Sequence, residues 1–220
     1  MVCIFQAHFF DEKVMMCYSI SSFYLLIMSN FAERNNVIIC MNLFATILLM
    51  IVSPTIGWEK IGRLSIPTKV LQGKVFFPTL AVLAVSAMFK FLYGDFTLTE
   101  ALINAIIAFA AYFFTFYISS MVMNFISPGD TQDAKNRLDN LMIFAIEYLV
   151  LINIISNMLP SHFTILEFLK LYVAFILFRG LDYINYKEKP VFFVTVATLS
   201  VLIIPVAINY VLGLIIPVAN

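Results

Sequence analysis

The order of apolar and polar residues divides most of the chain into long apolar runs. Five runs follow residue 74, and they cover residues 75–93, 101–126, 140–159, 163–183 and 191–217. Each is close to the roughly 20 residues that an α-helix needs to cross a bilayer. The fourth run is the least regular, because Glu167, Lys170 and Arg179 interrupt it, but its length favours a span. The pattern predicts an all-α, polytopic integral membrane protein with five transmembrane helices.

Polar residues between the runs supply helix start and stop signals. Thr97 and Glu100 have the spacing of a capping box, which predicts the start of the second transmembrane helix. Pro128-Gly129 is expected to end that helix before a polar loop. Pro205 lies inside the fifth run and predicts a kink there.

Residues 41–74 are predicted to form an interfacial amphipathic segment that precedes the five-span membrane domain, residues 75–220. The apolar stretch 37–52 holds about 16 residues, too few for a simple crossing. We expect a helix that lies in the interface, and a sixth, tilted span is the alternative. Pro54 disfavours helix at Ser53, so the chain is expected to turn before a second short helix that contains Trp58.

The first 40 residues form an N-terminal extension without a coherent pattern. Charged residues precede the apolar stretch 14–28, serines interrupt it, and no small-residue cleavage site follows, so a signal peptide is not predicted. The three cysteines of the chain lie here without metal-type or redox-type spacing. Because Met41-Asn42-Leu43 opens the first coherent pattern, a natural start at Met41 is a hypothesis.

Composition supports a membrane protein. Hydrophobic residues make up 62% of the chain and charged residues 12%, and the mean hydropathy is +0.98. A soluble globule of 220 residues has too little interior for that much apolar surface. The formal net charge is zero, so a nucleic-acid partner is not expected, whereas membrane lipids are.

Basic residues alternate between the two ends of the predicted spans. The connections on one side carry Lys60, Arg63, Lys69, Lys74, Lys135, Arg137, Arg179, Lys187 and Lys189, and the other side has Lys90 and Lys170. The positive-inside rule then predicts a cytoplasmic N-terminal segment and an external C-terminus. The single tryptophan, Trp58, stands beside the first basic cluster, a pairing typical of the headgroup layer.

Glu147 needs a physical explanation, because a carboxylate inside a span costs on the order of 2–3 kcal/mol on insertion scales unless it is paired or protonated. A short turn joins the third and fourth spans, and equal rise per residue places Arg179 near the depth of Glu147. We therefore predict a Glu147–Arg179 ion pair. A structural clamp, a proton or ion relay, and snorkelling to the inner face are the possible roles.

Other polar groups in the spans have two interpretations. Asn153 and Asn157 share one face of the third span, and Asn104 and Asn209 lie in the second and fifth. They either line a polar path or make interhelical hydrogen bonds. The chain contains no Gly-x-Ser-x-Gly, no His-Glu-x-x-His and no phosphate-binding glycine loop, and His162 has no metal-type spacing. An enzyme, a cofactor and a metal site are not predicted.

The order of features from residue 41 to 217 resembles a known family. A short apolar helix beginning Met41-Asn42-Leu43 is followed by Ser53-Pro54, by Trp58-Glu59-Lys60-Ile61 and by five spans. This resembles the bacterial branch of the Yip family, the Rab/Ypt-interacting-type membrane proteins. The resemblance implies a five-span protein of a bacterial cytoplasmic membrane with no assigned reaction, in which Ser53, Pro54, Trp58 and Glu59 have a structural or interaction role.

Eukaryotic relatives in that family are associated with vesicle traffic, Rab-type GTPases and hetero-oligomers. This chain lacks their Asp-Leu-Tyr-Gly-Pro-type motif and their long cytoplasmic N-terminal region, so the resemblance does not extend to GTPase binding. Two functions fit the sequence. One is a non-enzymatic membrane scaffold or organiser that contacts lipids, other membrane proteins or a second copy of itself, and the other is a small transporter or channel component that uses Glu147 and the asparagines.

Overall fold

The computed structural model describes residues 45–89, 97–127, 131–159 and 164–216, which all belong to one compact unit, Leu43–Asn220. These residues are helical with short connections, and no strand occurs among them. The helices are α1, residues 45–52; α2, Pro54–Leu64; α3, Thr68–Ala87; α4, Leu98–Ile126; α5, Gln132–Met158; α6, Thr164–Lys170; α7, Val173–Ile184; and α8, Pro190–Ile215. The predictions for residues 1–40, Lys90, Pro128-Gly129 and His162 lie outside the described residues.

Four helices, α3, α4, α5 and α8, are long and apolar enough to cross a membrane. They correspond to the predicted first, second, third and fifth spans, so the all-α, membrane-type fold is confirmed at this level. α3 begins at Thr68 rather than at residue 75, and the end of the predicted interfacial segment is therefore part of a long helix. The capping box at the start of α4 is confirmed, because Thr97 Oγ1 accepts from the Glu100 N–H and Glu100 accepts from the Thr97 N–H.

The predicted fourth span, residues 163–183, is not one helix. It is divided into α6 and α7 by a turn at Leu171 and Tyr172, whose N–H groups donate to carbonyls three residues earlier, at 3.1 and 2.9 Å. The physical reason lies on α5: the Tyr148 hydroxyl donates to the Leu169 carbonyl at 2.6 Å. A side chain that enters the backbone ladder in this way interrupts a helix.

α5 is the central helix of the bundle. Residues 140–150 are buried at every position, which means that neighbours cover the helix on all sides. α3 runs parallel to it, since Thr68 Oγ1 donates to the Asn136 carbonyl at 3.1 Å and Asn157 donates to Ser86 at 3.0 Å. α4 runs antiparallel, since Asn124 reaches Asp139. Together α6 and α7 also run antiparallel to α5.

α3 contains a π-helical turn at Gln72–Phe76. Pro78 follows it, and proline has no N–H to donate and crowds the carbonyl four residues earlier. A wider turn before the proline accommodates this, so the continuous helix to Ala87 is preserved. α8 likewise continues through Pro205 to Ile215, and its predicted kink stays a prediction.

α1 and α2 form a tight helical hairpin that reverses at Ser53. Gly57 lies against Met50, seven residues earlier, so closely that a β-carbon at Gly57 would stand 2.6 Å from Met50 Cγ and 3.0 Å from its Cα. In a continuous helix these positions are about two turns, or about 10 Å, apart. The predicted break at Ser53-Pro54 is thus confirmed, and glycine is required for the close approach.

We expect Gly57→Ala to lower the free energy of unfolding by about 1–3 kcal/mol, the usual cost of overpacking. The added methyl group would overlap Met50 Cγ and press against the Met50 backbone. Unfolding of the purified protein in mixed micelles, followed by circular dichroism, measures the change. Gly73→Ala is the matched control, because nothing lies within 4 Å of a β-carbon there. Equal losses from both substitutions would contradict this account of the hairpin.

Candidate functional site

Glu147 lies in the middle of α5 and is fully buried, with 0% of its surface exposed. Neither carboxyl oxygen has a hydrogen-bond partner among the described residues. Glu147 is therefore a buried acidic group without a counter-ion in the described part of the bundle.

The predicted Glu147–Arg179 ion pair is wrong. Arg179 is exposed on α7, where its guanidinium carbon lies 5.2 Å from the centre of the Phe175 ring. The inward face of α7 is formed by Ile176, Leu177 and Gly180 instead. Equal depth along two helices does not fix the direction in which each side chain points, and the rotation of α7 turns Arg179 outward.

The asparagines of α5 make interhelical hydrogen bonds. Asn153 donates to the Tyr112 hydroxyl of α4 and to the Leu149 carbonyl, and Asn157 donates to Ser86 of α3 at 3.0 Å. Of the two interpretations of these residues, the structure supports structural bonding for this pair. Asn104 is half-buried and Asn209 is exposed.

Trp58 is packed inside the bundle rather than exposed on its surface. Only 3% of its surface is exposed, and its Nε1 donates to the Ile176 carbonyl of α7 at 3.0 Å. Its ring stacks on Tyr183 at 5.2 Å and meets the edge of Phe144 at 5.7 Å. α2 turns its Trp58 face towards α5 and α7 rather than towards lipid, and the depth of Trp58 in the membrane stays a prediction.

Gly180 makes room for this tryptophan. A β-carbon at Gly180 would stand 3.0 Å from the Trp58 ring and would overlap Leu141. The buried residues of α2 are Pro54, Gly57, Trp58 and Ile61, which follow the i, i+3, i+4, i+7 spacing of one helix face. Of the four residues that carry the family resemblance, Pro54 and Trp58 thus face the bundle, Ser53 forms the turn, and Glu59 is exposed.

Polar contacts bring three basic connections to one end of the bundle. Asn140 donates to the Ile66 carbonyl before α3 at 2.8 Å, and Arg137 donates to the Tyr183 carbonyl near the end of α7 at 3.3 Å. The start of α3, the start of α5 and the end of α7 are therefore neighbours. We call this the basic end, and the side of the membrane that it faces stays a prediction.

Helix interruptions surround α5 near the level of Glu147. The π-turn of α3 precedes Thr79, and the break between α6 and α7 lies against Tyr148. At the same break, the Tyr172 hydroxyl donates to the Ile51 carbonyl at 3.1 Å, which ties down the tip of the α1–α2 hairpin. Sequence reasoning missed both tyrosines, although a buried phenolic hydroxyl always needs a partner. Exposed carbonyls at broken helices are the partners here.

Comparison of the chain with protein-family models, with curated proteins and with solved structures finds no match. The resemblance to the Yip family stays a prediction that rests on Ser53, Pro54, Trp58 and Glu59. No group of three His, Cys, Asp or Glu side chains suited to a metal ion occurs in the described ranges. The structure thus gives the positions of the candidate residues and shows that the described part of the chain folds as an apolar helical bundle.

The single tryptophan makes its own position measurable. We expect Trp58 fluorescence in proteoliposomes to be only weakly quenched by brominated lipids or by acrylamide, because the ring is enclosed by α5 and α7. Trp58→Phe combined with Phe192→Trp is the control, since Phe192 is 53% exposed on α8. Strong quenching of the native Trp58 by headgroup-level bromines would contradict this burial and support the hypothesis that Trp58 is a headgroup anchor.

Proposed function

We propose that this protein is a non-enzymatic membrane organiser that acts through contacts with lipids and with other membrane proteins. The observation that carries the proposal is the rigid mounting of α2 on the bundle. A hydrogen bond from Trp58, its stacking on Tyr183 and the space left by Gly180 hold the helix in one orientation. A surface held in one orientation loses less conformational entropy when it binds a partner.

The outward face of α2 is charged. Glu59 and Arg63 form an ion pair at 2.5 Å, and their side chains are 61% and 77% exposed. An exposed pair of this kind contributes little to stability, so it is available for other contacts. Lys60 lies on the same helix, and Lys69 follows at the start of α3. In the proposed orientation, with the N-terminal segment in the cytoplasm of a bacterium, this surface meets anionic headgroups or the polar part of a partner.

The outer surface of the bundle fits the same proposal. α4 and α8 pack on each other and expose many large apolar side chains, among them Phe114, Met121 and Phe125 on α4 and Val206 and Tyr210 on α8. Such a surface suits lipid tails or the spans of a neighbour. α6 and α7, which together follow the length of α5, supply the fifth crossing in this arrangement.

A photo-crosslinking residue at Glu59 tests the organiser. In native membranes we expect adducts with the same membrane protein, or with a second copy of this chain, in independent preparations. The same crosslinker at Thr195, which is exposed on α8, is the control for random lipid-side capture. Gly180→Leu displaces Trp58 and should remove the Glu59 adducts while the chain still inserts. Adducts that persist in that variant, or none at Glu59, would count against α2 as the contact surface.

A transporter or channel component is the second candidate. The observation that favours it is Glu147, which is buried and has no partner among the residues that the structure describes. Proteoliposomes with internal pH and ion indicators separate the two functions. An organiser gives no flux above protein-free vesicles. A flux that is present in the native protein, retained in the control Glu59→Gln and lost in Glu147→Gln would favour the transporter over the organiser.

A further inference from the structure

The α1–α2 hairpin follows α7 from the middle of the bundle to the basic end. Three contacts join the hairpin to α7 in the same order along each, and these are Ile51 with Tyr172, Trp58 with Ile176, and Gly62 with Tyr183. The first two are hydrogen bonds to backbone carbonyls. In the third, a β-carbon on Gly62 would stand 3.7 Å from the Tyr183 ring. Tyr183 belongs to the basic end, so the tip of the hairpin lies at the other end of α7.

The lengths of the two helices give the depth of the tip. α2 has 11 residues and α7 has 12, so at about 1.5 Å per residue the tip lies about 16–18 Å from the basic end. Tyr172 at the tip also packs on Tyr148, which lies about three turns along α5 from Arg137 of the basic end. With the basic residues at the headgroup level, the tip lies near the middle of a hydrocarbon core that is about 30 Å thick.

The chain turns back at this depth instead of crossing. Met50 of α1 contacts Gly57 of α2, so α1 is not a straight continuation of α2 towards the opposite end of the bundle. Ser53 is the one non-helical residue between α1 and α2. Its N–H donates to the Leu49 carbonyl at 2.7 Å, and its carbonyl accepts from the Gly57 N–H at 3.0 Å. Pro54 starts α2 and has no N–H. These bonds suit a bend in hydrocarbon, where no water is present to satisfy the backbone.

The exposed side chains change from apolar to charged along the hairpin and along α7. The large apolar side chains exposed near the tip are Leu48, Val52 and Ile56, and those exposed in the same part of α7 and just before it are Leu171, Phe175 and Phe178. Charge appears closer to the basic end, as the Glu59–Arg63 pair on α2 and as exposed Arg179 and Asp182 on α7. Two neighbouring helices thus share one gradient of polarity. This gradient is that of a single leaflet, with acyl chains at the tip and headgroups at the basic end.

We infer that the α1–α2 hairpin is a re-entrant element that enters the membrane from the basic end and binds acyl chains of that leaflet at its tip. Leu48, Val52 and Ile56 form the lipid-binding surface. α1 and α2 therefore occupy one leaflet, whereas the long helices α3, α4, α5 and α8 cross both. The inference goes beyond the organiser and does not depend on it, because the depth of the hairpin is measured without a partner and without the adducts at Glu59.

Spin labels measure this depth in the full chain, reconstituted in liposomes with Cys3, Cys17 and Cys40 replaced by serine. Single nitroxides are placed at Val52, at Ile56, at Leu64 near the basic end and at Ile203, which is exposed near the middle of α8. Oxygen concentrates in the centre of a bilayer, and a charged nickel complex stays in water. We expect the labels at Val52 and Ile56 to collide with oxygen as often as the label at Ile203, and the label at Leu64 to collide with nickel.

Two results of this measurement would overturn the inference. Labels at Val52 and Ile56 that collide with nickel as often as the label at Leu64 would place the hairpin at the surface. Labels that are shielded from both reagents would show that a protein, not lipid, covers the tip.

An acidic substitution at Ile56 separates water from lipid by the sign of its effect. Ile56 lies in the first turn of α2, where a carboxylate stabilises a helix in water. In acyl chains the same charge is costly, so we expect Ile56→Asp to lower the ratio of folded to unfolded protein in bilayers on the order of a hundredfold. Leu98→Asp is the matched control, because Leu98 is equally exposed in the first turn of α4 at the bilayer edge. An Ile56→Asp protein as stable as the native chain, or more stable, would overturn the inference.

Discussion

The bundle is governed by one constraint: polar groups that α5 carries into the apolar interior must find their partners within the protein. Hydrocarbon supplies no hydrogen bonds, so an unsatisfied backbone or side-chain group there costs several kcal/mol. Tyr148 donates to the Leu169 carbonyl, Asn153 to Tyr112, and Asn157 to Ser86. Each bond joins α5 to a different neighbour, so these bonds also fix the arrangement of the helices. Each contributes roughly 0.6–2 kcal/mol. The Asn140 side-chain oxygen and the two Glu147 carboxyl oxygens are the buried atoms of α5 for which the described part of the bundle supplies no hydrogen-bond partner.

The same constraint explains where helices break. A broken helix exposes carbonyl groups, and in this protein the Leu169 and Ile51 carbonyls at two breaks receive tyrosine hydroxyls. Tyr148 and Tyr172 also pack on each other, with ring centres 5.8 Å apart. The break between α6 and α7 and the tip of the α1–α2 hairpin are therefore parts of one polar arrangement. Interrupted helices of this kind allow small rearrangements that a straight bundle would resist.

Trp58 and Arg179 illustrate the limit of sequence reasoning about membrane proteins. Both residue types are common at membrane interfaces, and Trp58 stands close to a basic cluster in the sequence. The structure buries Trp58 between α5 and α7 and turns Arg179 outward onto Phe175. Which face of a helix meets its neighbour depends on the packing of several helices together. Gly180 is decisive for the tryptophan, because its missing side chain leaves room for the Trp58 ring.

The sequence by itself determined the features that depend on a few neighbouring residues. Apolar runs gave the four long helices, Thr97 and Glu100 gave the capped start of α4, and Ser53-Pro54 gave the break before α2. Only the tertiary structure decided the division of residues 163–183, the partner of Trp58 and the isolation of Glu147. The physical reason is that helix length and capping are set by local hydropathy and backbone bonding. Rotation about a helix axis, by contrast, is set by side chains that are far apart in the chain.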